Sequence, residues 1–428
     1  MKDLAQYALG ALKKAGADKA SCSISKGRKD EFNIEANKFT LLRTVFTGSL
    51  QLKALVGGRK GVVVINKLER ENIDEAVTNC IQLAKAAAPD EAEDIAPLVE
   101  NKDENTRKET DIDGLFSRSK EYLEQIKDEF PKILIDGFST YSNSGEVVYA
   151  NSNGVCFSCQ KQYYYFNSMF VGKDGEKSSS FNYDGAYLAA LDKPFMDAGM
   201  HRRLLEEAQG SLNPRMVEEK FTGKIIVTPA CDDMLWDTLL GNFLSDRPLI
   251  EGTSRWKDAL DTAVADKKLC FRAAPSNPLM VAEPFFTPDG FLAQDVDFIK
   301  DGVLKSFALS LYGANKVGKP CAKTHASNFE VAAGDASLAD MVKNTERGIL
   351  LNRFSGGSPG ASGDVSGVAK NSFLIENGQI TDALQETMIS FNILEAINNI
   401  TAISRERVAN GVTILPWCCV DGVTVSGK

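Results

Sequence analysis

Lys19-Ala20-Ser21-Cys22-Ser23-Ile24-Ser25, and then Thr44-Val45-Phe46-Thr47-Gly48-Ser49-Leu50-Gln51-Leu52-Lys53-Ala54-Leu55-Val56, decide the character of the fold. Cys22 and Ile24 alternate with polar neighbours, Phe32, Ile34 and Ala36 continue the period of two, and the branched run Val62 to Ile65 follows. Gly27, Gly48 and the pair Gly57-Gly58 punctuate the runs. Alternation of this kind, cut by glycines, predicts several antiparallel strands in succession.

Helical periods flank this block. Leu4, Tyr7, Ala8, Ala11 and Leu12 recur at helical spacing and stop at Gly16; Ile73, Val77, Cys80, Ile81 and Ala84 put one apolar face on a helix ending at Pro89. The acidic, polar stretch Asp90 to Asp111 reads as a solvated connection. A helix is expected over Ile112 to Phe130, strands at Val147 to Tyr149 and at the aromatic run Tyr163 to Val171, and a helix over Phe195 to Gln209. The domain boundary is placed near Pro214 to Gly223, giving residues 1–214 and 215–428. The second part opens with a strand, Lys224 to Thr228, and a helix, Pro229 to Leu244, with Met234, Leu235, Leu239, Leu240, Phe243 and Leu244 on its apolar side. Short strands with Gly, Pro and Asp turns follow, with further helices expected at Ser337 to Asn344 and Met388 to Asn399. The fold class is α+β: an antiparallel sheet with packed helices, then a β-rich domain with a few helices.

Composition narrows the function. The 428 residues favour two domains, and 43% hydrophobic with 25% charged residues is the balance of a globular protein. The formal charge of -9, without a basic run carrying interleaved aromatics, disfavours direct nucleic-acid binding. No apolar stretch approaches the roughly 20 residues that span a bilayer, and Met1-Lys2-Asp3-Leu4 carries no signal-peptide apolar region. Nine scattered cysteines read as reduced thiols. A cytoplasmic location is expected.

Familiar catalytic patterns are missing. With only His201 and His325, and no pair of histidines at helical spacing, a histidine-based zinc site would need both plus a third ligand. Isolated histidines more often serve structure. Cys156-x-x-Cys159 has no second knuckle and lies in a strand-like context, where the two would face opposite sides; Cys418-Cys419 reads as core. No Gly-x-Ser-x-Gly elbow is present. Arg353 to Asp364, rich in Gly and Ser, reads as a loop: a solvated hairpin connection or, functionally, a substrate-edge loop.

Several short stretches, in order, resemble the TldD/PmbA family, once labelled modulators of DNA gyrase. They are Ala15-Gly16-Ala17-Asp18, Gly58-Arg59-Lys60-Gly61, Asn151-Ser152-Asn153-Gly154, Asp301-Gly302-Val303-Leu304, Tyr312-Gly313-Ala314, Asn328 to Gly334, Gly363-Asp364-Val365-Ser366-Gly367 and Ile375-Glu376-Asn377-Gly378. The resemblance implies a metallopeptidase-related chain of one of two kinds. The TldD kind carries His-Glu-x-x-x-His on a helix soon after a strand and completes its zinc site with a distant Cys; the TldE/PmbA kind lacks them. Counted from Pro229, the motif positions here fall on Asp237-Thr238-Leu239-Leu240-Gly241-Asn242, and the late Cys-Gly falls at Asn410-Gly411.

By that resemblance, Asp237, Thr238, Asn242 and Asn410 are degenerate site positions, and Gly241 is expected to preserve the packing of the helix. Threonine cannot serve as the general base for a zinc-bound water. No cofactor is expected in this chain; the zinc is expected in a TldD-like partner, in a heterodimer or higher assembly that cleaves unfolded or leader peptides. His325, in Thr324-His325-Ala326-Ser327-Asn328, together with Asn328, Asp364 and Ser366, are the candidate substrate or subunit contacts; a hydrogen-bonded turn histidine is the alternative for His325. The rival to the partnered reading is a stand-alone homodimer that binds peptides or regulates. A third is an enzyme using another metal near Asp237.

Overall fold

The computed structural model describes residues 1–231, 233–357 and 359–427. Two sheets carry the chain, and the α+β class is as expected. The first contains the long strands Lys19–Glu35, Lys38–Val56, Ile133–Asn151 and Cys156–Asp174, with Arg59–Ile65 on one edge and Asn182–Leu188 on the other. The quoted opening runs pair as an antiparallel hairpin, Cys22 opposite Leu52 and Ile24 opposite Leu50. Ile24, Leu50 and Leu52 are fully buried beneath helices Lys2–Lys14 and Arg70–Ala86, which supply Ala8, Leu12, Ile73 and Cys80. Further along the same face lie helices Ile112–Glu129 and His201–Gly210. Burying one face of each is what holds these helices, since short isolated helices are marginal in water.

The second sheet begins at Phe221–Val227, which lies between Arg347–Leu351, parallel to it, and Thr413–Ser426, antiparallel. Ile225, Val227, Ile349, Leu351 and Cys418 face one core; Ile226, Leu350, Trp417 and Cys419 face the other, which they share with Phe166, Phe170 and Leu204 of the first half. The halves are therefore joined by a common apolar layer. Among the described residues no helix is long and apolar enough to cross a membrane.

Four expectations need correction. The strands expected at 147–149 and 163–171 extend over Ile133–Asn151 and Cys156–Asp174. The helix expected over 388–399 is a strand, Thr387–Asn392, turning into a helix only at Ile393–Asn398, where the Asn392 side chain accepts from the Leu394 and Glu395 amides. Phe195 to Gln209 is a short turn at Phe195–Asp197 and a helix from His201. The segment Arg353 to Asp364 does connect a hairpin, as one of its two readings had it, but its first residues are not loop: Arg353–Gly356 is a strand paired with Asp364–Lys370. Cys156 and Cys159 do sit on one strand among different neighbours, and the nine thiols are free.

Candidate functional site

Strand Phe221–Val227 delivers the chain to Pro229, where it winds through short helical turns at Pro229–Cys231, Asp233–Asp237 and Leu240–Leu244. The winding is wider than an α-helix, as the Ser245 amide shows by donating to Leu240 O, five residues back, at 2.9 Å. Met234, Leu235, Trp236, Leu239, Phe243 and Leu244 go into the core; Asp237 is exposed and Asn242 half-buried. Gly241 does not have the packing role expected of it, because a Cβ there would meet open space.

Asp237, Thr238 and Asn242 come together on one wall of a cavity of about 490 Å³. The opposite wall is the hairpin, through Phe354, Ser355, Gly356, Gly357 and Pro359. The Asn242 amide donates to Pro359 O at 2.7 Å and joins the two walls. Gly356 and Gly367 face each other across the hairpin, and a Cβ on either would lie about 2.6 Å from the Phe354 ring; their bareness lets that ring lie flat on the hairpin. Arg353 fixes the hairpin's root: Nε donates to Asn182 Oδ1 at 3.0 Å, Nη1 to Ala230 O at 3.0 Å, and Nη2 to Tyr183 O. The substrate-edge reading of the Gly- and Ser-rich segment placed it beside a site without saying which one, since its anchoring through Arg353 depends on residues about 170 positions away.

The other candidates lie outside the cavity lining. Asn410 forms the turn between strands Ile400–Ala409 and Thr413–Ser426, its Oδ1 accepting from the Val412 and Thr413 amides at 3.0 and 2.7 Å. His325 is buried, and its Nε2 lies 2.9 Å from the carbonyl oxygens of both Pro284 and Phe286, with Glu283 Oε2 at 3.6 Å from Nδ1. Asn328 is buried, its backbone paired with His325 and Ala274. Asp364 accepts from the Asn392 amide at 3.0 Å, a bond that, with Ser362, holds its carboxyl below the usual range. Ser366 is exposed opposite Ser390. The other histidine, His201, is fully buried against the Tyr122 hydroxyl at 2.7 Å, and burial pushes its pKa down to about 3.

The polar side chains at the cavity are one carboxylate, Asp237, two hydroxyls, Thr238 and Ser355, and one carboxamide, Asn242, and the described residues contain no group of three His, Cys, Asp or Glu able to hold a metal. Three such ligands, with imidazole or thiolate prominent, are what zinc needs. These residues do not fit that ion.

Fold and sequence together define a PmbA/TldD-type chain: residues 69–212 match the model of the PmbA/TldA metallopeptidase central domain and residues 221–427 that of the C-terminal domain, so the protein belongs to this family. It is 24% identical over 299 residues to the metalloprotease PmbA of Escherichia coli O157:H7, covering 67% of this chain and 65% of that protein's length. With a PmbA homolog of Haemophilus influenzae it shares 21% identity over 99% of this chain and 96% of the other. The crystal structure of TldE from Thermococcus kodakarensis superposes with a TM-score of 0.88 at 18% identity, covering 99% of this chain and all of that one.

Proposed function

We propose that this chain is a TldE/PmbA-type subunit that holds unfolded or leader peptides while a TldD-like partner supplies the zinc and the water-activating carboxylate. The observation that carries this reading is the trio Asp237, Thr238 and Asn242 at the cavity wall. Thr238 offers no base for a metal-bound water. The carboxamide of Asn242 donates to Pro359 and so closes the hairpin against the helix. What remains is a recess bounded by a strand, Arg353–Gly356, whose neighbour on one side is Asp364–Lys370. An extended peptide can join such a strand by main-chain hydrogen bonds without regard to its side chains.

The test is to purify the native complex and the isolated chain from the same cells and measure zinc and cleavage of an unstructured peptide in each. Zinc and activity are expected only with the partner present. Stoichiometric zinc in the isolated chain, with activity lost to a chelator, overturns the reading.

A further inference from the structure

The first sheet has a second face, and its covering is incomplete. At one end Tyr149 and Phe157 lie under Phe286 of the second half, with the Phe157 and Phe286 rings 5.4 Å apart. The Glu283 carbonyl of this cover receives the Lys161 ammonium, and His325 secures it through the carbonyls of Pro284 and Phe286. Beyond it Tyr141, Tyr165 and Tyr187 stand opposite one another on three adjacent strands, with ring centroids 4.9 and 4.7 Å apart. Tyr163 meets Tyr187 edge-on at 5.7 Å, and Asn143 donates to the Tyr163 hydroxyl at 2.6 Å. All four rings are half-buried.

Two rings on this face already hold a cation, one at the Tyr141 end of the row and one on Tyr183, four residues from Tyr187 along the edge strand. Lys29 Nζ lies 4.2 Å from the Tyr141 centroid, and Arg353 Cζ lies 3.6 Å from that of Tyr183. Cations are drawn to the electron-rich ring face, and here the face belongs to a chain of formal charge -9. Tyrosines give broad contact for little lost side-chain freedom, and Asn143 and Asn167 on the same face carry both donors and acceptors suited to main-chain groups. Tyr183 stands on the same face of the edge strand Asn182–Leu188 as Tyr187, and Arg353, which covers it, also roots the hairpin wall of the cavity, so this strand leads from the row toward that site.

We propose that this tyrosine face is a docking surface for an extended polypeptide carrying lysine or arginine side chains, which it leads toward the cavity. At the usual strand separation, the three steps from Lys29 to Tyr187 span about 14 Å, roughly four residues of extended chain. The inference rests on the peptide-holding role proposed above.

The experiment measures binding of a fluorescein-labelled unstructured peptide containing several arginines, and of its Arg→Gln twin, to the full chain by fluorescence anisotropy. The arginine peptide is expected to bind more tightly. The double variant Tyr165→Ser/Tyr187→Ser is expected to weaken it roughly tenfold, and Tyr165→Phe/Tyr187→Phe to leave it nearly unchanged, since the ring face does the holding. Thermal melts establish that each variant is folded. Equal binding of the two peptides, or no effect of the serine variant, overturns the proposal; if Phe354→Ala then abolishes binding, the peptide-holding role stands without the tyrosine face. No peptide bound by the chain or by its complex defeats both. Tyrosines shielded by the partner subunit, with peptide bound elsewhere in the complex, assign the face to subunit contact and also overturn it.

Discussion

The side-chain amide of Asn242 and the carbonyl oxygen of Pro359 are 2.7 Å apart, a single hydrogen bond linking a turn of the motif helix to the tip of the hairpin across the cavity. A catalytic histidine at this position would present a metal-binding nitrogen; the amide instead acts as a clasp.

Asn242→Ala should release the hairpin tip. One neutral hydrogen bond contributes about 1 kcal/mol, so the melting point should barely move while amide hydrogen exchange at Ser355 to Gly357 and Gly360 to Ser362 speeds up. Unchanged exchange there would show that the Phe354 ring, rather than the clasp, holds the wall.

The fold was legible where burial follows side-chain chemistry and obscure where it does not. Cys22, Ile24, Leu50 and Leu52 alternate with polar residues and are buried as the alternation demands. In Ile133–Asn151 the core side of the strand carries Thr140, Ser142 and Ser144, all buried, so a strand reads as a polar loop. Thr140 is accommodated by donating to Tyr165 O at 2.9 Å, a partner about 25 residues away that no local pattern reveals. At Met388 the apolar spacing suits either period, and the Asn392 cap decides where the helix starts. At the site, counting from Pro229 brought Asp237, Thr238 and Asn242 to one wall, whereas the opposite wall depends on contacts from Arg353 to Asn182 and Tyr183, about 170 residues away.

His201 predicts an acid-sensitive core. Its pKa is lowered to about 3 by burial, against 6.5 for an exposed histidine. Between these values the unfolded chain binds the proton and the folded chain does not, so stability is full above about pH 6.5 and falls with decreasing pH, by up to about 1.4 kcal/mol per unit. His201→Gln, which keeps a polar group facing Tyr122, should flatten this part of the profile in urea titrations from pH 7 to pH 4. A parallel profile for the variant would assign the acid response to other groups.

Arg203 joins the halves through a buried charge. It pairs with Glu207 at 2.8 Å and lies 5.5 Å from the Trp417 ring, while the far Glu207 oxygen takes the Asn352 amide at 2.6 Å. Burial raises the Glu207 pKa despite these partners. Arg203→Ala strands a carboxylate between the two halves and should cost about 3 kcal/mol, whereas Arg203→Ala/Glu207→Gln should recover much of that. A double-mutant cycle by urea denaturation reads the coupling directly; additive losses would mean the pair is screened by solvent.

Gly411 is held to its identity by backbone geometry rather than by a lost metal ligand. Its φ is +88°, and a Cβ there would run into the Tyr187 backbone. The turn it shares with Asn410 is fastened on both sides, the Tyr187 amide donating to Asn410 O and the Val281 amide to Gly411 O, each at 2.8 Å. Gly411→Ala must therefore adopt a strained backbone and push apart two strand ends, at a cost of about 2 kcal/mol. Asn410→Ala leaves the Val412 and Thr413 amides without their side-chain acceptor and, at about 0.5 kcal/mol for each of the two bonds in this half-exposed turn, should cost about 1 kcal/mol. Denaturant midpoints measure both, and the order of the two is the discriminating result: a larger loss at Asn410 than at Gly411 would mean that the side-chain bonds, and not the close approach to Tyr187, govern this junction.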